Sequence, residues 1–296
     1  MIVVTRPLLA AVVAAAVAVS VLSGCSGAGS ASEGGSRGGS DARSSPRAGS
    51  GTESNSRAGL GDPAKKEIAM ELVSSAENSS LDWQDQYKYI EDIDDGRGYT
   101  AGIIGFCSGT GDMLNVVERY TAARPGNPLA RFLPALRAVR GSDAHDGLGR
   151  PFTEAWAEAA ADPAFRSAQD AERDRSYFDP AVARAEADGL GALGQFIYYD
   201  AYVMHGYGDT DGTVGFRTIR DEAIAATRPP AHGGDEAAYL NAFLDARVAA
   251  MRKERAHSDT SRIETAQRVF VNEGRLGLEL PLRWRVYGDS YRIDAR

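Results

Sequence analysis

The stretch SSAENSSLDWQDQYKYIEDIDDGRGYTAGIIGFCSGTGD, residues 74–112, contains the change from helical to sheet patterning on which the fold prediction depends. A helix signal precedes it, because Asp62 can cap a helix and Pro63 suits its first turn. Apolar residues then recur with a helical period, at Ile68, Ala69, Leu72, Val73 and Ala76. Glu77 continues this apolar face, so we expect its carboxyl group to point along a buried stripe.

The remainder of the stretch predicts a second helix and then a small sheet. Residues 83–93 have a helical pattern and lead into the turn-rich residues 94–98, whereas residues 99–107 are rich in β-branched, aromatic and glycine residues. Asp95 lies in the glycine-flanked turn. A carboxyl group against apolar side chains tends to keep its proton, and one in a polar loop tends to lose it. Glu77 and Asp95 are therefore a candidate general acid and general base, the pair that glycoside hydrolysis requires.

Beyond residue 112 the pattern is helical almost to the end of the chain. Helices are predicted over residues 113–123, 129–139, 152–161, 163–176, 180–204, 217–226, 236–257 and 260–272. The fold class predicted is α+β and mainly α-helical, with one small β-sheet near its start. Such an asymmetric layout often forms two lobes with a cleft between them.

The first 60 residues do not resemble a folded domain. Residues 1–24 have one charged side chain, Arg6, followed by an apolar stretch, and they end in the lipobox-like sequence Leu-Ser-Gly-Cys at Cys25. This predicts a lipoprotein signal peptide and a lipid anchor on Cys25, although an ordinary signal peptide with an incidental cysteine is the alternative. Residues 25–60 are rich in Ser and Gly and predict a disordered tether. The folded domain is predicted over residues 61–296.

The charge and the histidine and cysteine content of the chain indicate which kinds of ligand it could bind. The formal net charge of −8 argues against nucleic acid and would attract a polycation, although acidity also simply aids solubility. The four histidines lack metal-ligand spacing, so they indicate no metal site. Cys107 lies in an apolar run and is interpreted as a buried, inert thiol.

One acidic residue in apolar surroundings needs a cationic partner. Asp200 lies in the middle of residues 193–206, which are apolar on nearly every side and predict a central helix. A carboxylate there must be paired, and Arg247 and Arg262 are candidate cations. An ordinary structural ion pair is the alternative interpretation.

From about residue 60 to residue 293 the chain resembles the chitosanases of glycoside hydrolase family 46. The segments that carry the resemblance are KEIAMELVSSAENSS at 66–80, YKYIEDI at 87–93, DGRGYT at 95–100 and GIIGFCSGTGD at 102–112. Further agreement lies at residues 198–200, 203–206, 239–241, 243–247 and 259–262. Asp94 departs from the pattern, because the family often has a glycine there.

The resemblance implies a lysozyme-like domain of two lobes, with the small sheet in the N-terminal lobe. It also implies internal cleavage of β-1,4-linked glucosamine in chitosan, with inversion at the anomeric carbon and without a cofactor. Residue by residue, Glu77 corresponds to the general acid, Asp95 to the general base and Thr100 to the hydroxyl that helps to hold the attacking water. Asp112 corresponds to an acidic position that binds substrate.

The resemblance further implies an ion-pair network of Asp200, Arg247 and Arg262 behind the acid, in which Arg262 contacts the glutamate. Three more side chains are candidates for lining the cleft: Tyr89, Arg97 and His205. The expected partner is chitosan, acted on by an exported and anchored monomer. Two alternatives stay open at this point: a lysozyme-like hydrolase of another amino-sugar glycan such as peptidoglycan, and a non-catalytic adhesin that binds chitosan.

Overall fold

The computed structural model describes residues 59–210, 213–253 and 259–295. Its helices are α1 (Pro63–Glu77), α2 (Asp112–Ala123), α3 (Leu133–Val139), α4 (Gly149–Ala159), α5 (Pro163–Arg173), α6 (Asp179–Ala187), α7 (Ala192–His205), α8 (Phe216–Ala226), α9 (Glu236–Lys253) and α10 (Arg268–Asn272). Its strands are β1 (Ile90–Asp92), β2 (Tyr99–Ala101), β3 (Phe106–Cys107), β4 (Leu282–Val286) and β5 (Asp289–Ile293). The predicted mainly helical α+β class is confirmed. The predicted signal peptide and the lipidation position Cys25 lie outside the described residues.

Helix α1 begins as its sequence predicts. The Asp62 carboxylate accepts the backbone N–H groups of Ala64 and Lys65 at 2.9 and 3.2 Å, and a proline occupies the first turn. Just before it, Leu60 is fully buried and its N–H donates to Gln195 Oε1 at 2.7 Å. The predicted boundary after residue 60 therefore falls just inside the folded domain.

The N-terminal sheet differs from its prediction in one strand. Strands β1, β2 and β3 form an antiparallel sheet in sequence order, with Glu91 opposite Thr100 and Thr100 opposite Cys107. The strands predicted within residues 99–107 are confirmed, but the helix predicted over residues 83–93 is wrong in its second half. A 3-10 helix covers only Trp83–Lys88, because Ile90–Asp92 pairs with β2 instead.

Helix α7 lies at the centre of the domain, and all of its residues are buried. The single helix predicted over residues 180–204 is wrong, because α6 ends at Ala187 and α7 begins at Ala192. Gly189 lies in this break with a φ of +79°, a left-handed conformation that ends helices and suits glycine. Within the described ranges, no helix combines the length and the apolarity needed to cross a membrane.

A second sheet lies near the C-terminal end and was not predicted. Strands β4 and β5 form an antiparallel hairpin in which Leu282, Trp284 and Val286 are buried and alternate with exposed arginines. This period of two was the signal that the helical prediction overlooked. The Trp284 indole donates through Nε1 to Ser75 Oγ at 3.0 Å, which attaches the hairpin to the last turn of α1.

Candidate active site

Glu77 is the last residue of α1, and only 4% of its surface is exposed. The apolar face of α1 carries it into the core, as the helical period predicted. Arg262, which is also buried, donates through Nη2 to Glu77 Oε1 at 2.7 Å. The carboxyl group is therefore withdrawn from bulk water and held by a charged hydrogen bond, which fixes its position.

Asp200 lies behind this pair and joins two arginines. Its Oδ1 accepts from Arg262 Nη2 at 2.7 Å and its Oδ2 accepts from Arg247 Nη1 at 2.9 Å, so one aspartate contacts both cations. Burial raises the pKa of Asp200, but the two guanidinium groups outweigh burial and lower it to about 2. Asp200 therefore carries a full charge at neutral pH and offsets part of the positive charge that Glu77 faces.

Arg247 is fully buried, and burial lowers its pKa although Asp200 acts in the opposite direction. It also donates to Gln267 Oε1 at 3.0 Å and to His205 Nε2 at 3.4 Å. His205 is 0% exposed, so it supports Arg247 from within the core and does not line a cleft as the sequence predicted. Its orientation follows from its position at the end of the fully buried α7.

Asp95 lies in the loop between β1 and β2, with its side chain partly exposed. Its Oδ1 accepts the backbone N–H of Arg97 at 3.0 Å, and its Oδ2 accepts Nε of the same residue at 2.9 Å and also Nη2. The loop needs unusual backbone conformations: φ is +56° at Asp94, +79° at Gly96 and +72° at Gly98. The left-handed conformation of Asp94 is the one that favours a glycine, which is the residue that the family often has there.

Thr100 and Cys107 face each other on paired strands and are both fully buried. Thr100 Oγ1 lies 3.5 Å from Cys107 Sγ. Burial, followed by the charge of Asp112, raises the pKa of the Cys107 thiol to about 12, so the inert interpretation of this cysteine agrees with its surroundings. The Thr100 hydroxyl is within the sheet and close in sequence to Asp95, but it has no exposed surface here.

Asp112 begins α2 and is nearly buried. Its Oδ1 accepts from the Cys107 N–H at 2.8 Å and the Thr110 hydroxyl at 2.5 Å, and its Oδ2 accepts the Tyr177 hydroxyl at 3.0 Å. Burial raises the pKa of Asp112 against the effect of these donors. The residue lines a cavity of about 730 Å³ together with Tyr177. The sequence did not single out Tyr177, because its contact with Asp112 spans 65 positions.

Two further side chains lie around the site. Tyr89 is half-buried, and its hydroxyl donates to Glu91 Oε2 at 3.3 Å; burial and then Glu91 raise its pKa to about 12. Tyr287, in the unpredicted hairpin, was missed by the sequence. Its backbone N–H donates to Ser261 Oγ at 2.9 Å, which brings the turn of this hairpin next to the residue that precedes Arg262. Among the described residues, no group of three or more His, Cys, Asp or Glu side chains is arranged to hold a metal ion.

A mainly helical domain that buries one carboxyl group against an arginine and exposes another in a glycine-rich loop defines an acid/base enzyme of the glycosidase class. The chain belongs to glycosyl hydrolase family 46, whose model matches residues 71–282. This confirms the resemblance carried by residues 66–112.

Similar proteins agree with this assignment. A chitosanase from Streptomyces sp. (strain N174) is 65% identical over 234 residues, which cover 79% of this chain and 84% of that protein. A solved structure described as a chitosanase complex has a TM-score of 0.76 and 60% identity, covering 80% of this chain and 99% of that one. A complex of the Gynuella sunshinyii family 46 chitosanase with chitotetraose has a TM-score of 0.71 and 34% identity, with coverage of 78% and 98%.

Proposed function

We propose that this protein is an endo-acting chitosanase that cleaves β-1,4 linkages between glucosamine units with inversion. The observation that carries the proposal is the contrast between Glu77, buried and hydrogen-bonded to Arg262, and Asp95, partly exposed in its loop. Family membership and the chitosanase activity of relatives that are 60% or more identical support the same reaction.

Glu77 is the general acid. In its protonated form it donates to the glycosidic oxygen, and the bond to the leaving sugar breaks as an oxocarbenium-like transition state forms. Burial favours this protonated form, whereas Arg262 favours the ionised one. Asp200 carries a charge of its own beside Arg262 and so limits the second effect. Arg262, Asp200 and Arg247 act through Glu77 as positioning residues.

Asp95 is the general base. It removes a proton from a water molecule that attacks the anomeric carbon on the face opposite the leaving group. An inverting enzyme needs about 6.5 to 9.5 Å between the two carboxyl groups to accommodate this water. Arg97 holds both carboxylate oxygens of Asp95 in one orientation. Thr100, on the strand that follows the loop, is the hydroxyl we assign to orienting the water once substrate is bound.

The negative charge of the protein favours binding of a positively charged substrate. Chitosan carries ammonium groups, and an enzyme with a net charge of −8 attracts such a polymer over long range. Asp112 and the Tyr89–Glu91 pair are the proposed contacts near the loop, and Arg97 is held beside the base by its hydrogen bonds to Asp95. The Gynuella sunshinyii chitosanase forms a complex with chitotetraose, which is consistent with binding of glucosamine oligomers by this fold.

The decisive experiment is NMR of the first product formed from fully deacetylated chitosan, with peptidoglycan as a parallel substrate. We expect the α anomer first, and we expect Glu77→Gln and Asp95→Asn to lower kcat by at least about 100-fold, the lower range for a catalytic acid or base, while circular dichroism stays unchanged. Near-native turnover of Glu77→Gln, or hydrolysis of peptidoglycan instead of chitosan, would reject the proposal.

We also propose that the protein is exported as a monomeric lipoprotein anchored through Cys25. The apolar leader before Cys25 and the Ser- and Gly-rich segment after it support this. Metabolic labelling with a fatty-acid probe is expected to mark the wild type in the membrane fraction but not Cys25→Ala. Label that persists in the variant would contradict lipidation at this cysteine, and light scattering of the soluble domain tests the monomer.

A further inference from the structure

The outer face of the β4–β5 hairpin is positively charged, although the protein has a formal net charge of −8. Three exposed arginines lie on this face, Arg283 and Arg285 on β4 and Arg292 on β5. They line a groove of about 530 Å³ between the hairpin and the helical residues 264–269. We refer to these three residues as the hairpin arginines. They do not belong to the site proposed for chitosan.

Two of the hairpin arginines face each other across the two strands. Arg283 and Arg292 are directly opposite in the register, and both are exposed. The inner face between the same strands is aromatic instead, because the rings of Trp284 and Tyr291 stack with centroids 5.7 Å apart. Like charges directly opposite each other on antiparallel strands are destabilising. An anion that accepts from both guanidinium groups would relieve this repulsion.

The carboxylates near the groove leave most of this positive charge uncompensated. Glu264 lines the groove, but it accepts from Arg268 Nε at 2.8 Å. Arg292 pairs with Asp294 at 2.8 Å, and because both side chains are exposed this pair contributes little. In the part of the chain that the structure describes, the other two hairpin arginines have no carboxylate partner. The face therefore remains basic.

The hairpin lies close to the point where the predicted tether, residues 25–60, enters the domain. Lys65, in the first turn of α1, donates through Nζ to the carbonyl oxygens of Gly277 and Leu278. The segment that leads into β4 is therefore next to the start of α1. The inner face of the hairpin packs on α1 through Trp284, so the outer face is directed away from that helix.

We propose that the hairpin arginines bind phosphate groups of anionic phospholipids on the membrane to which the tether attaches the protein. This inference rests on the proposed anchoring through Cys25. Guanidinium groups donate paired, charge-assisted hydrogen bonds to phosphate oxygens. An anionic surface attracts this basic face and repels the acidic remainder of the protein, so binding would also orient the domain. The position of the face beside the anchored end favours a membrane over a soluble polyanion.

The test uses residues 26–296, which carry no lipid and include every described residue. At low salt we expect this protein to cosediment with vesicles of phosphatidylcholine and phosphatidylglycerol, but not with phosphatidylcholine alone. Replacing all three hairpin arginines with Gln should lower the partition coefficient about 100-fold, since each basic residue near such a surface contributes about fivefold. The matched control removes three exposed arginines elsewhere, by Arg131→Gln, Arg137→Gln and Arg150→Gln. Equal losses in the two triple variants would overturn the inference.

A fluorophore attached through Ser290→Cys locates the contact. Ser290 is exposed and opposite Arg285, and Cys107, the other cysteine of residues 26–296, is buried. We expect the emission of an environment-sensitive label on this thiol to change on anionic vesicles. The same label at Ala138→Cys, an exposed position on α3, should not respond. Equal responses at the two positions would contradict binding through the hairpin.

Further outcomes separate this inference from the proposals on which it rests. Loss of fatty-acid labelling in the wild type would reject the anchor alone, because the vesicle test does not depend on a lipid. The triple hairpin variant should keep the wild-type kcat on soluble chitosan, which shows that it is folded. Vesicle binding that persists in this active variant would reject the inference. Binding of the wild type to polyphosphate but not to anionic vesicles would also overturn it.

Discussion

Arg262 donates through one nitrogen, Nη2, to Glu77 Oε1 at 2.7 Å, although the two residues are 185 positions apart in the chain. The same nitrogen lies 2.7 Å from Asp200 Oδ1. The end of the first helix is thereby linked to the central helix through one guanidinium group. The proposed acid is thus positioned by residues that have almost no exposed surface with which to contact a polymer.

Two replacements of Arg262 should distinguish its effect on the position of Glu77 from its effect on the protonation of Glu77. Arg262→Lys keeps the charge but loses the planar donor that serves two carboxylates, so we expect kcat to fall about 100-fold with little change in KM. Arg262→Gln also removes the charge, which favours the protonated form of Glu77. The alkaline limb of its kcat profile should therefore move to higher pH. A change confined to KM, or an alkaline limb that moves to lower pH, would contradict this role.

Asp200 should contribute to stability in a defined pH window. Its pKa is lowered from an ordinary value of 3.8 to about 2, so its contribution is present above pH 3.8 and is lost as the pH falls through 2. We expect the difference in the free energy of unfolding between wild type and Asp200→Asn to narrow by about 2 kcal/mol between about pH 5 and pH 2. Urea titrations of both proteins measure this difference. A gap that stays constant with pH would show that the Asp200 charge is not linked to folding.

Arg97 should set the orientation of Asp95, the proposed general base. Its backbone N–H and its guanidinium group both donate to the Asp95 carboxylate. Arg97→Lys keeps a positive charge but loses the planar guanidinium group that donates from two nitrogens, so we expect kcat to fall about 10-fold. Arg97→Gln also loses the charge, so its kcat should fall about 100-fold. Equal activity of the two variants would contradict this account.

The sequence predicted correctly those elements whose structure is determined by residues close together in the chain. The Asp62 cap, the apolar period that buries Glu77 and the strand signal at residues 99–107 all appear where the sequence placed them. The strand Ile90–Asp92 was missed because its pairing with β2, not its own pattern, decides its structure. His205 was misplaced although it belongs to the apolar stretch that forms α7, because the prediction followed its residue type and not the burial of the whole helix.

In the ion-pair network, too, neighbouring residues predicted burial, whereas contacts between distant residues could not be predicted. Apolar neighbours indicated that Asp200 and Arg247 are buried, and Arg262 was a further candidate cation; the structure pairs Asp200 with both arginines. Residue patterns alone could not say that Arg262 also reaches Glu77; that contact came from the family resemblance. Tyr177 and Tyr287 carried no local signal, since each approaches the site from a distant element.

Asp188 should be a stability residue independent of the active site. It follows α6, and its nearly buried carboxylate accepts from Arg220 at 2.6 and 2.7 Å and from the Tyr198 hydroxyl at 2.8 Å. It thereby joins the break before α7 to α7 itself and to α8. We expect Asp188→Asn to lower the free energy of unfolding by about 3 to 5 kcal/mol, because Arg220 loses its buried partner.

Asp221 supplies the matched control for that prediction. Its exposed carboxylate lies 3.9 Å from the same arginine, at Arg220 Nη1. Because such an exposed pair contributes at most about 1 kcal/mol, Asp221→Asn should be close to wild type in urea unfolding. At a temperature where Asp188→Asn is still folded, its kcat should match the wild type. Equal destabilisation by the two variants would show that burial of the Asp188 pair does not determine its contribution.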